Sequence, residues 1–190
     1  SSAYIKNIYT NGNVTLEGSA RADLISAKGW IYTKSGGTQG DLYADKYINI
    51  TNGSLKNANT LSYIDWPSGG GTAQILTAGG YVNFGSSSVN TIRAKGNVNL
   101  STWGTVSDVM SEGKIKCVST NWGNYTLLKA ISFESCPTKN ATTLPAGTDS
   151  IVATGALVTV TAPNKPLVNA LSYESQANYI LDVDSNSKPV

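Results

Sequence analysis

Apolar residues recur in short runs of period two, and the runs themselves recur along the chain. The first reads Ile8, Thr10, Gly12, Val14, Leu16, an apolar-x-small-x-Gly-x-apolar-x-apolar pattern. Ile25, Ala27, Gly29, Ile31 follow, then Leu42, Ala44, Lys46, Ile48, Ile50. A degenerate copy carries Leu61 and Tyr63. Leu76, Ala78, Gly80, Val82, Phe84 restore the pattern, then Ile92, Ala94, Gly96, Val98, Leu100 and Val109, Ser111, Gly113, Ile115, Cys117. The last copy has Leu127, Ile131 and Phe133. The starts step by about 17 residues, with a double step around the degenerate copy. Alternation within each copy turns one face of a strand inward. Ser35-Gly36-Gly37, Ser68-Gly69-Gly70-Gly71 and Gly85-Ser86-Ser87-Ser88 supply turns between copies. No single unit can bury its apolar face alone, whereas a stack of them forms continuous columns. The pattern predicts an all-β fold, a single-stranded β-helix (β-solenoid) with about 17 residues per rung. Eight or nine rungs at about 4.8 Å each make a rod of roughly 40 Å.

An antiparallel sandwich with hairpins of regular length is the competing arrangement. A small residue followed by Gly at one phase of the repeat speaks against it, because a solenoid corner needs small residues there and a sandwich does not. Cys117 and Cys136 are separated by close to one repeat. They are expected on neighbouring rungs in nearly the same column, within reach of a disulfide; the alternative is a pair of buried free thiols. After Cys136 the pattern loosens. Residues 137–149 read as a long loop, with strand-like runs at 151–161 and 179–184 and Pro163 and Pro166 between them. The expected division is therefore a solenoid over 1–136 and, over 137–190, a loop with an irregular C-terminal β segment. That segment is a cap, an interaction element or the start of a following domain.

Composition narrows the chemistry. The chain has 190 residues, 14% of them charged, a net charge of +2 and no histidine. No basic stripe exists to neutralise phosphates, so nucleic acid is not an expected partner. The missing His removes the Ser-His-Asp triad and most zinc sites. No apolar run approaches the roughly 20 residues of a membrane span, so no membrane contact by this stretch is expected, and no metal or other cofactor is either. The chain begins at Ser1 without Met and is read as a piece of something longer. Low charge, abundant Ser, Thr and Asn, and the expected disulfide suit an exported protein.

Gly40-Asp41-Leu42-Tyr43-Ala44-Asp45-Lys46-Tyr47-Ile48-Asn49-Ile50 resembles the rungs of bactofilins, the polymer-forming bacterial cytoskeletal β-helices. Gly96-Asn97-Val98-Asn99-Leu100 and Asp108-Val109-Met110-Ser111-Glu112-Gly113-Lys114-Ile115 share that cadence. It is also similar to solenoid regions of PilX-like, type IV pilus-associated proteins. The likeness covers about 8–133 and lies in the cadence alone. The Gly-rich turns, the cysteine pair and the Trp residues depart from bactofilins. These departures favour an exported relative over a cytoskeletal one.

Trp103 and Trp122 follow inner strands of adjacent rungs at similar offsets, with Tyr125 nearby. Exposed, with Asn and Thr beside them, these three would suit stacking on sugar rings; buried, the two Trp rings would cover the end of the core. Trp30 alternates with inward Ile31 and is expected outward, and Trp66, before Pro67, is expected in a loop. Asp41 and Asp45 flank one strand and Asp108 and Glu112 another, without the close acidic cluster that polysaccharide hydrolysis or lysis needs. The chain is therefore expected not to be an enzyme. The leading expectation is an extracellular or cell-surface structural or display module of a bacterial appendage, pilus-associated or adhesin-like, whose partners are other appendage subunits or a glycan. A carbohydrate-binding module and a polysaccharide lyase or hydrolase are the alternatives.

Overall fold

The computed structural model describes residues 2–34, 36–101, 104–118, 124–148, 167–174 and 179–182. The strands are β1 (Ser2–Thr10), β2 (Asn13–Leu16), β3 (Arg21–Ala27), β4 (Ile31–Thr33), β5 (Thr38–Ala44), β6 (Ile48–Ile50), β7 (Ser54–Thr60), β8 (Ile64–Trp66), β9 (Thr72–Ala78), β10 (Val82–Phe84), β11 (Ser88–Ala94), β12 (Val98–Leu100), β13 (Thr105–Cys117), β14 (Asn124–Glu134), β15 (Ala141–Thr143), β16 (Leu167–Glu174) and β17 (Tyr179–Asp182). Strands β1 to β15 form a parallel β-solenoid of about eight turns. The long strands β1, β3, β5, β7, β9, β11, β13, β14 and β15 stack in that order. The short strands β2, β4, β6, β8, β10 and β12 stack beside them and continue into the second halves of β13 and β14.

Successive Cα partners along one inward column are Ile8, Ile25, Leu42, Ala58, Leu76, Ile92, Val109 and Leu128. Their spacings run 17, 17, 16, 18, 16, 17 and 19 residues, so the repeat slips without losing register. A second column, on the short strands, runs Val14, Ile31, Ile48, Ile64, Val82, Val98, Ile115 and Phe133. Both columns belong to one continuous apolar core, with Phe133 partly buried against it.

The long strands β1 to β14 bend once each. Gln39 and Leu42 are three residues apart yet both buried, whereas a straight strand alternates by two. Where the ladder runs through the bend it skips one residue, Gly40 opposite Lys56 and Gln74 opposite Asn90 among them. This bend, together with the two turns, gives each rung three short sides. Position 40 sits so tightly that a Cβ would run into the Asp23 carbonyl of the rung below. Buried Gln39 is satisfied by the backbone: its Oε1 accepts from Ala22 N at 2.9 Å and its Nε2 donates to Ala20 O at 2.8 Å.

The small-x-Gly corner has a direct cause. Gly29 N donates to Gly12 O at 2.8 Å, and a Cβ at position 29 would collide with that carbonyl. Where the small residue is Thr or Ser, its hydroxyl holds the corner amide. Thr10 accepts from Gly12 N and Ser111 from Gly113 N, each at 3.0 Å.

Three local expectations are corrected. In the degenerate rung the inward residues are Ala58, Thr60, Ile64 and Trp66, while Leu61 is 39% exposed and Tyr63 points outward. Trp66 is therefore no loop residue: it lies in β8, is 0% exposed and meets Phe84 edge-on at 5.9 Å. In the last rung Leu128 and Ala130, not Leu127 and Ile131, face inward, one residue out of the expected phase. Cys117 and Cys136 form a disulfide with Cα atoms 4.9 Å apart. After β15 the described chain reappears at the other end of the coil, where β16 pairs antiparallel with β1 and β17 antiparallel with β2.

Candidate functional site

Two outward surfaces differ in what their side chains touch. On the short-strand side, Trp30, Tyr47, Tyr63 and Tyr81 come from four successive rungs and stack. Their ring centroids are 6.0, 4.9 and 4.7 Å apart and their planes lie within 12°. Trp30 is thus outward as expected, and its partners recur at the repeat spacing. The rings take each other's faces, so the inner members present edges and hydroxyls to solvent. Burial, then the neighbouring Tyr81, Tyr47 and Asp65, hold the Tyr63 hydroxyl above the ordinary tyrosine range. Burial and Asp65 do the same for Tyr81.

A polar column runs beside the rings through Asn49, Asp65, Asn83 and Asn99. Asn99 Nδ2 donates to Asn83 Oδ1 at 2.7 Å, and Asn83 Nδ2 donates to Asp65 Oδ1 at 3.1 Å. The column ends on Lys116 and Glu134, an ion pair at 2.6 Å. Lys116 and Lys114, which also reaches Glu134 at 3.0 Å, hold that carboxyl below the usual carboxylate range.

The second surface is a groove along the bend of the long strands. One cleft of about 380 Å³ is lined by Tyr4, Arg21, Asp23, Thr38, Gln39 and Gly40. Another, of about 400 Å³, shares Thr38 and Gln39 and continues past Ser54, Thr72 and Ser88. Gln39, Leu55 and Ala73, all buried, also line it. One rim is a hydroxyl column, Thr38, Ser54, Thr72, Ser88 and Thr105. The other is the column the ladder skips, with Lys56, Gln74 and Asn90. At the first-rung end the Tyr4 hydroxyl donates to Asp23, and the Arg21 guanidinium stands 5.7 Å from the Tyr4 ring centre.

Of the sugar-stacking trio, Trp103 and Trp122 lie outside the described residues. Tyr125 is described and turned inward: it is 6% exposed, its hydroxyl donates to Ser101 O at 3.2 Å, and burial raises its pKa. Asp41 takes a hydrogen bond from Asn57 Nδ2 at 2.7 Å and pairs with Lys56 at 3.7 Å, while Asp108 pairs with Arg93. Among the described residues no three His, Cys, Asp or Glu side chains gather as metal ligands would. No helix among them is long and apolar enough to cross a membrane. Neither the aromatic ladder nor the hydroxyl rim was read from the sequence. Their signal was present in outward residues recurring at the same 16–18 residue interval as the core.

No model of a known protein family matches the chain, and neither does any curated protein or solved structure.

Proposed function

We propose that this chain is a non-enzymatic, exported structural or display module of a bacterial surface appendage, pilus-associated or adhesin-like. The carrying observation is the continuous ladder on the short-strand side. Side chains there bond along the rod from rung to rung, through the Tyr stack and the Asn83–Asn99 hydrogen bond. Such a surface stiffens a rod and contributes nothing to a reacting group. The Cys117–Cys136 disulfide suits an oxidising compartment. Surface labelling and protease shaving of intact cells test this reading. The protein should be accessible from outside and should leave the cell with sheared appendages; a protein confined to the cytoplasm would contradict it.

A second reading, a carbohydrate-binding module, is favoured by the polar groove along the bend. A glycan array with the wild type and a Trp122→Ala variant tests it. Binding by either supports it, and no binding by either ends it.

A further inference from the structure

We infer that the groove along the bend of the long strands is a binding site for a linear, uncharged polysaccharide lying parallel to the rod. This deepens the carbohydrate-binding reading, rests on it, and assigns the contact to the groove residues in place of Trp103 and Trp122.

The two clefts adjoin along the bend. They share Thr38 and Gln39, and together they run from Tyr4 on the first rung to Ser88 on the sixth. Five rung steps at about 4.8 Å give a length of roughly 24 Å. One rung step is close to the length of one pyranose in an extended chain, so each sugar would meet an equivalent pair of rim residues.

Its chemistry is that of a polyol binder. Along the middle, Thr72, Gln74, Ser88 and Asn90 are exposed and uncharged. Among the described residues the side chains of Thr38, Thr72, Gln74, Ser88 and Asn90 make no hydrogen bond to protein; the Ser54 hydroxyl accepts one, from Thr72 N at 3.1 Å. Amides and hydroxyls both donate and accept, as sugar hydroxyls require. The ladder side differs here, because its amides are already bonded to one another.

Charge argues for a neutral ligand. The Lys56 ammonium lies 3.7 Å from the Asp41 carboxylate, and Arg21 and Asp23 line the same end of the groove, so the described lining residues carry no run of unbalanced cations. The Tyr4 ring on the first rung supplies an apolar wall at which a terminal sugar can stop.

The test is calorimetric titration of the full chain with hexaoses of cellulose, mannan, xylan and chitin, and with oligogalacturonate as the acidic comparator. At least one neutral hexaose should bind, more tightly than its trimer. Gln74→Ala/Asn90→Ala should weaken binding roughly tenfold by removing two hydrogen-bonding groups. Ser88→Arg should block the groove outright. Trp103→Ala/Trp122→Ala should leave affinity within twofold. Circular dichroism and melting temperature check that every variant is folded. Loss of binding only in the Trp variant would overturn the groove and leave the carbohydrate reading standing. Binding of oligogalacturonate alone would overturn the neutral ligand class. Binding of nothing by the wild type would remove the carbohydrate reading and this inference together.

Discussion

The short-strand side and the bend of the long strands are built on the same coil, yet they use their outward residues in opposite ways. On the first, rings stack at 4.7–6.0 Å and Asn side chains bond to the next rung. On the second, exposed hydroxyls and amides line a cleft of about 400 Å³, and among the described residues only the Ser54 hydroxyl there is bonded to protein. Register is the same on both, so register alone does not decide what a surface does. A side chain that satisfies its copy on the next rung becomes part of the rod. One that does not keeps its hydrogen-bonding capacity for another molecule.

Substitutions should separate the two sides, beginning with the core beneath the ladder. Trp66 is fully buried against Phe84, and its indole N–H has no partner among the described residues. Trp66→Ala should cost about 3–5 kcal/mol in chemical denaturation. Trp66→Phe should cost much less, because Phe84 fills the same column and the unpaired donor disappears. Equal losses would mean that volume alone matters at this position.

The far end of the short-strand side gives the next effect. Beyond it β15 extends only the long-strand stack, pairing with Leu128 to Ala130. The disulfide closes a segment with a sequence separation of 19. Cys117→Ala/Cys136→Ala should cost about 3 kcal/mol by the chain-entropy estimate. Hydrogen exchange should rise first in β13 and β14. A loss spread evenly over all rungs would contradict a local staple.

Alkaline pH should act on the ladder too, and more weakly, beside the raised hydroxyls of Tyr4, Tyr43 and Tyr125. The hydroxyls of Tyr63 and Tyr81 are held above the ordinary tyrosine range, so they stay neutral longer in the fold than in the unfolded chain. Their contribution is complete below about pH 10 and is lost as pH rises through the folded value. Tyr63→Phe/Tyr81→Phe should flatten the alkaline fall in melting temperature, whereas Gln74→Ala/Asn90→Ala should leave it unchanged. A fall of the same size in the Phe variant would place its cause elsewhere.

The coil and the disulfide were legible in the sequence because both depend on the inward period, which large apolar residues mark. The fourth rung was not. Its inward positions hold Ala58 and Thr60, too small or too polar to stand out, while outward Leu61 and Tyr63 imitate the pattern out of phase. Pro67 hid Trp66 in the same way, because proline usually ends a strand and here follows one directly. Adjacent Leu127 and Leu128 both fit the apolar spacing, so the pattern pointed to Leu127 where the pairing turns Leu128 inward. The surfaces were harder still. Outward ladders carry no hydrophobic contrast, so Trp103 and Trp122 drew attention by residue type. Spacing alone marked Tyr47, Tyr63, Thr72 and Ser88.

The most direct measurement is the unfolding free energy of two matched triple variants. Tyr47→Ala/Tyr63→Ala/Asn83→Ala removes all three ring stacks and the Asn83 bonds. It should lose at least about 2–4 kcal/mol. Thr72→Ala/Gln74→Ala/Asn90→Ala, on the groove, should stay within about 1 kcal/mol of the wild type. Equal losses, or a larger loss from the groove triple, would contradict the division of the surface into a ladder that builds the rod and a groove left free to bind.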